Sequence, residues 1–320
     1  MTLHEDTLIQ TLAKQSQGFI GDDAAVLPIS HEHLIITKDM LIENTHFNAN
    51  SISALDLGYK ALQANLSDLA AMGAQPKYVL CGIALPKNRS DYAKKVLSSL
   101  QQACLDNNVI LIGGDTCQSE TLCISITAIG FSINEHIRYR QGAQSSDMLC
   151  HVGNLGHAHL GWQASEKKLA IHPSYHAAFC RPNALIEEGL FLGKQPAVSS
   201  MMDVSDGLLI DIKRLCEQSH LGAHIQLEKI PLDDRFKETA LSMDLDPLST
   251  AVIGGEDYGL LFTVTHHLID SIAHDFFRRF KKPITLLGEM TSKNTIQYTL
   301  NNQAFTPSIK PFTHFGEYDS

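Results

Sequence analysis

Six short acidic motifs punctuate the sequence. They are "GDDAAVL" with Asp22 and Asp23, "TKDML" with Asp39, "NLSDLAAMGA" with Asp68, "GGDT" with Asp115, "DVSDG" with Asp203 and Asp206, and "GGEDY" with Glu256 and Asp257. Met once, aspartate beside glycine is ordinary turn chemistry. Repeated at the ends of apolar runs, it sets carboxylates where ligands of α/β proteins gather. Hard cations such as Mg²⁺ take oxygen ligands from one or two carboxylates each and share their other positions with substrate phosphates. Phosphate binding mediated by metal ions is the chemistry this pattern suits. "DVSDG" also stands just before a helical pattern, whose N-terminus offers free N–H groups and a positive dipole end to an anion. Ser205 there can donate a hydroxyl to a phosphate or serve as the helix N-cap.

These residues need elements to hold them. A helix is expected from Ser53, where S-A-L-D reads as a capping box, to near Gly73, with Pro76 beyond. At about 100° per residue, Lys60, Gln63 and Ser67 fall on one stripe, read as the solvent side, and Leu62, Leu66 and Leu69 fall opposite. Asp68 and Asn65 share a third face with Ala61, Ala64 and Met72, whose small side chains allow a backbone or ligand to come close. On this geometry alone Asp68 is either a ligand or a partly exposed carboxylate paired with a lysine.

Strands are expected at 33–37, 78–85, 109–114 and 122–131, with Asp39 at the end of the first and Asp115 after the third. If the first strand continues, side chains alternate, so Thr37 and Asp39 share a face and Lys38 points away. A second helix follows Ser90, with Val96, Leu100 and Cys104 at four-residue spacing. The polar connector 134–147 is the expected domain junction. Beyond it come a strand at 148–153, the glycine-punctuated "GNLGHAHLG", and a stretch with Pro173 and Pro182 read as irregular. "MMDVSDGLLIDIKRLCEQ" then reads as strand, turn and helix, with Leu208, Ile212 and Leu215 as the apolar stripe. Strands at 259–264 and 284–289 follow. The mixture points to an α/β or α+β chain, in two domains rather than one.

Composition bounds the function classes. The 320 residues are 44% hydrophobic and 19% charged, enough to bury a full core without covalent staples. The seven cysteines show no C-x-x-C spacing, which favours a reducing, cytoplasmic setting. "MTLHEDTLIQTLAKQ" has no apolar core of a signal peptide, and no run is long enough to span a membrane. The net charge of −10 argues against nucleic-acid and membrane partners. An acidic chain that binds phosphates needs cations to mediate. No P-loop, protein-kinase or EF-hand motif is present.

Taken together, "GDDAAVL", "TKDMLIENTHF", "YKALQANLSDLAAMGAQP", "LIGGDT", "MMDVSDGLLIDI" and "GGEDYGLLFT", with a weaker "PFTHF" near the C-terminus, resemble the thiamine-monophosphate kinase family of the AIR synthetase-like superfamily. The resemblance implies a two-domain AIR synthetase-like fold. An N-terminal sheet-and-helix domain (1–137) would form a homodimer interface, followed by a C-terminal α/β domain (138–320). It implies transfer of the γ-phosphate of ATP to thiamine phosphate with several Mg²⁺ ions, giving thiamine diphosphate. By resemblance, Asp23, Thr37, Asp39, Asp68, Asp115, Asp203 and Asp206 would surround the metals, with Asp68 and Asp206 catalytic. Gly114, Asp115, Arg140 and Ser205 would contact ATP, and His46, Glu256 and Phe312 the thiamine phosphate. Without the resemblance, Arg140 reads as an ordinary linker charge.

The chain departs from the family pattern at Lys38, where Ser or Thr is usual, at Leu97, where an aromatic often meets adenine, and at Gly259, where Glu is usual. The residues after "GGDT" also differ. Two other functions suit the same residues: an ATP-using ligase of the superfamily that activates an amide, and a non-catalytic Mg-nucleotide-binding protein.

Overall fold

The computed structural model describes residues 22–29 and 32–307; Phe312, the "PFTHF" stretch and the first 21 residues lie outside the described residues. Two sheets organise the chain. The first holds β1 (Ala25–Ile29), β2 (Glu32–Ile42), β3 (Gln75–Leu85), β4 (Ile110–Gln118) and β5 (Cys123–Ser132), in the order β1-β2-β5-β3-β4. The second holds β6 (Met148–Val152), β7 (Val198–Val204), β8 (Gly222–Gln226), β9 (Gly259–Val264), β10 (Thr285–Thr291), β11 (Ile296–Leu300) and β12 (Gln303–Phe305), in the order β12-β11-β8-β10-β6-β9-β7. β3 and β4 run parallel and β2, β5 and β3 antiparallel, so the first sheet is mixed.

Helices α1 (Ala54–Ala71) and α2 (Ser90–Asp106) pack on one face of the first sheet. Ser53 caps α1 by accepting from the Asp56 N–H, as S-A-L-D predicts. Gly73 ends the helix with φ of 63°, and a Cβ there would lie 2.5 Å from the His136 carbonyl oxygen. The opposite sheet face is uncovered in the single chain, with Met40, Leu80, Ile110 and Ile112 exposed. Helices α3 (His157–Lys167), α4 (Pro173–Cys180), α5 (Ile186–Gly193), α6 (Leu208–Ser219), α7 (Asp234–Ser242), α8 (Pro247–Ile253) and α9 (Ile269–Phe280) accompany the second sheet.

The stretch read as irregular is therefore helical. Pro173 occupies the first turn of α4, where its missing N–H costs nothing and its fixed φ favours helix. Phe179, Cys180 and Ala184 close the first core, while Ala70 and Ala71 at the end of α1 enter the core of the second sheet. Close backbone approach makes this interlocking possible: a Cβ on Gly189 of α5 would lie 2.2 Å from the Ala70 carbonyl oxygen.

Helix α1 is consequently buried on nearly every side, which overturns the solvent stripe expected for Lys60, Gln63 and Ser67. All three are buried, and each bonds to a residue beyond 180. The Lys60 ammonium meets Glu256, Gln63 Oε1 accepts from the Ala184 N–H at 2.8 Å, and Ser67 Oγ donates to Asp203 Oδ2 at 2.7 Å. The stripe faces the second half of the molecule instead of water. Asp39 and Asp115 also sit inside their strands, not at the ends, because β2 and β4 run past them to Ile42 and Gln118.

Candidate active site

A cleft of about 1190 Å³ opens where β2, α1, the β7–α6 turn and the α8–β9 turn converge. Its floor is built by strand alternation and helix periodicity acting together. Thr37 and Asp39 share one face of β2, and the third face of α1 meets them. Thr37 Oγ1 donates to Asp68 Oδ2 at 2.5 Å, and the Asp39 N–H donates to Asn65 Oδ1 at 3.1 Å. Asn65 is held in turn by donating to the Ala61 carbonyl oxygen at 3.0 Å. Lys38 points the other way, and its Nζ donates to Ser125 Oγ.

Asp23, Asp68 and Asp203 each bring one carboxylate oxygen within 4.8 Å of the other two. Burial pushes the Asp68 carboxyl well above the usual range, and Asp39, Asp203 and Asp23 push it further, while the Thr37 hydroxyl acts the other way. Asp203 is likewise raised, first by burial and then by Asp23, against the lowering hydrogen bond from Ser67. Asp39 is raised by burial, Asp206 and Asp23. Asp23 Oδ2 is buried with no hydrogen-bond partner among the described residues. Converging, mutually repelling carboxylate oxygens of this kind could hold a hard divalent cation such as Mg²⁺.

Cationic side chains border the cluster. An Arg140 terminal N–H donates to Asp23 Oδ1 at 2.7 Å, and the Arg140 backbone N–H donates to Asp22 Oδ1 at 2.6 Å. Arg214 pairs with Asp206 and, at 3.1 Å, with Asp211. Asp211 was not singled out as a site residue, yet it shapes the "DVSDG" turn. Its Oδ2 accepts from the backbone N–H groups of Ser205 and Asp206, 3.2 Å each. Burial, aided by Asp206, pushes its carboxyl up to about 7. Ser205 is not the N-cap; Gly207 is, with φ of 114° and no side-chain cap bond, which leaves the Ser205 side chain to line the cleft.

The "GGEDY" turn is tied to "DVSDG" through Glu256 N–H to the Ser205 carbonyl at 2.7 Å and Tyr258 N–H to the Val204 carbonyl at 2.9 Å. Glu256 and Tyr258 both adopt left-handed backbone, with φ of 64° and 50°. Asp257, another residue without an expected role, turns inward and accepts from the Gly156 and Ala158 N–H groups at the start of α3. A carboxylate opposite a glycine-introduced helix start was the available signal.

One cleft thus gathers Asp23, Thr37, Asp39, Asp68, Arg140, Asp203, Ser205 and Asp206, together with His46 and Glu256. His46 Nδ1 accepts from the Ile42 N–H at 3.1 Å. Gly114 and Asp115 do not join them. They sit on exposed edge strand β4, three strand positions from β2, or about 14 Å at the usual interstrand spacing. At the departure Gly259, a Cβ would lie 2.5 Å from His151 Nε2 and 2.7 Å from the Val152 carbonyl oxygen, so the position has no room for a side chain. Leu97 packs against the first core.

Residues 21–132 match the AIR synthase related protein N-terminal domain, and residues 147–300 the corresponding C-terminal domain. The chain is 34% identical over 303 residues to the thiamine-monophosphate kinase of Buchnera aphidicola subsp. Acyrthosiphon pisum, covering 92% of each chain. It is 35% identical over 279 residues to that of Haemophilus influenzae, covering 86% of this chain and 83% of the relative. The solved structure of AaThiL complexed with AMPPCP and TMP superposes with a TM-score of 0.87 at 27% identity, covering 98% of this chain and 99% of that one. With both domain models matched in order and relatives aligned over most of their length, the chain belongs to the thiamine-monophosphate kinase family, within the AIR synthase related proteins.

Proposed function

We propose that the chain transfers the γ-phosphate of ATP directly to thiamine phosphate, with Mg²⁺, giving thiamine diphosphate and ADP. The observation that carries this reading is the convergence of Asp23, Asp68 and Asp203 beside Arg140 in the cleft. The related AaThiL structure, which holds AMPPCP and TMP, supports the substrate pair.

In this reaction an oxygen of the acceptor phosphate forms a bond to the γ-phosphorus, while the bond to the β–γ bridging oxygen breaks and ADP departs with the electron pair. A phosphate monoester has its second pKa near 6, so the acceptor is largely dianionic at neutral pH and no general base is required. The barrier is repulsion between two polyanions, overcome by positioning and charge neutralisation. Mg²⁺, when bound, supplies that neutralisation across both phosphate chains. Asp23, Asp39, Asp68, Asp203 and Asp206 would hold it, and Thr37 and Ser67 fix the orientation of Asp68 and Asp203. Arg140 and Arg214 provide fixed positive charge at the same wall. Ser205 faces the nucleotide, and His46 and Glu256 face the acceptor.

The exposed apolar row Met40, Leu80, Ile110 and Ile112 supports homodimerisation through the first sheet. Gly114 and Asp115 stand on that sheet's edge strand, so pairing of two sheets, rather than the fold of one chain, would bring them to a nucleotide. A cytoplasmic setting suits this chemistry; among the described residues no helix is long and apolar enough to cross a membrane. Supplying the protein with Mg-ATP and following ADP tests the reading. ADP should accumulate mole for mole with added thiamine phosphate, and ADP formation indifferent to it would refute the assignment.

A further inference from the structure

The cleft is lined by two chemically different groups of residues. One is the carboxylate cluster with Arg140 and Arg214. The other comes from α3, which brings Trp162 and, one turn on, Glu166 to a cleft that His46 also lines. Ser51 Oγ donates to Glu166 Oε1 at 3.1 Å, which ties α3 to the turn after β2. Glu256 lines the same cleft, its N–H donating to the Ser205 carbonyl oxygen.

Trp162 is the only tryptophan of the chain, and it is 42% exposed. Among the described residues the only exposed Phe or Tyr rings are Phe277 and Phe305, neither of which lines the cleft, so a large ring left open in a polar cleft marks a binding surface. Its placement is built rather than incidental. Asp257, the neighbour of Glu256, pins the first turn of α3, and the His159 ring packs on the indole at 5.4 Å between centroids. Burial holds the His159 imidazole below its usual range, so it stands beside the indole as a neutral ring and not as a competing cation.

We propose that Trp162, flanked by Glu166, seats the cationic heterocycle of the acceptor, with the indole face against the thiazolium ring. This rests on the reading of the acceptor as thiamine phosphate. The thiazolium is flat, aromatic and permanently positive, and tryptophan is the strongest cation–π partner among the side chains. The arrangement matches the two halves of the acceptor to the two groups of lining residues: ring to aromatic and carboxylate, phosphate to metal site and arginines. It makes Trp162 a specificity-determining residue.

The single tryptophan reports on its own role. Thiamine phosphate added to the full-length protein should quench tryptophan fluorescence saturably, with a midpoint near the KM for thiamine phosphate, whereas inorganic phosphate should not. Trp162→Leu should raise the KM for thiamine phosphate about fivefold or more, with the KM for ATP moving less than twofold, and Trp162→Phe should recover part of the loss. Thiamine diphosphate formed without quenching, or a Trp162→Leu variant with unchanged KM for thiamine phosphate, would overturn the inference and leave the kinase reading standing. Absence of both product and quenching would overturn the two together.

Discussion

Lys60 Nζ lies 2.9 Å from Glu256 Oε2, with the lysine side chain fully buried and the glutamate about one third exposed. The same ammonium stands 4.0 Å from the centroid of the Phe179 ring. The middle of α1, the "GGEDY" turn and α4 therefore meet at one buried charge. Because Glu256 also lines the cleft, an element of the first sheet's layer sets the position of a cleft carboxylate in the second.

The burial of this pair is unequal, and so should be the effects of breaking it. Glu256→Ala leaves a buried ammonium without its carboxylate, which costs about 3–5 kcal/mol. Lys60→Met preserves volume and leaves a carboxylate that water can reach, so its cost is about 1–3 kcal/mol. Urea unfolding midpoints check this: the Glu256 variant should unfold at the lower concentration, and the reverse order would contradict the asymmetry.

Asp68→Asn removes one charge from a group of carboxylates that raise one another. Without Mg²⁺ the variant should be more stable than the parent, by about 2–4 °C in Tm per kcal/mol relieved. Added Mg²⁺ should stabilise the parent more than the variant, through binding to the folded state. Turnover should fall about 1000-fold, since charge neutralisation is most of the catalysis in phosphoryl transfer. Thermal melts with and without Mg²⁺, paired with product assays, measure both; a destabilised variant of near-normal activity would show Asp68 to be structural.

His151 on β6 is fully enclosed, and burial pushes its imidazole down to about 3. Its Nε2 has no hydrogen-bond partner among the described residues. The folded protein keeps the ring neutral, while the unfolded chain takes up a proton near pH 6.5. Between pH 6.5 and about 3 the unfolded state binds the extra proton, so stability falls with falling pH by up to about 1.4 kcal/mol per unit. His151→Val should flatten that decline between pH 6.5 and 4. Denaturant titrations across the range test it, and parallel slopes for the two proteins would exclude His151 as the source.

Much of the site was legible before any coordinates. Strand alternation alone puts Thr37 and Asp39 on one face and Lys38 on the other, and helix periodicity alone separates Asp68 and Asn65 from their neighbours; the structure joins those two faces directly. The same periodicity could not identify what covers Lys60, Gln63 and Ser67. A polar stripe faces water in a helix of one layer, but here a second sheet with its helices supplies a partner for each residue. Asp211 was given no site role, and Asp257, though seen in the acidic pattern, was given none of its own, because their partners are backbone N–H groups with no side chain of their own to read. α4 was hidden by a proline that opens a helix as readily as it ends one. Gly114 entered only by resemblance and Asp115 as one carboxylate of the acidic pattern, and their place on the edge strand has no counterpart in local sequence pattern.

The most direct measurement follows the γ-phosphate itself. With ATP labelled at that position, Mg²⁺ and thiamine phosphate, the label should appear in thiamine diphosphate, one for each ADP formed. Label released as inorganic phosphate, with thiamine phosphate unchanged, would contradict direct transfer between the two substrates.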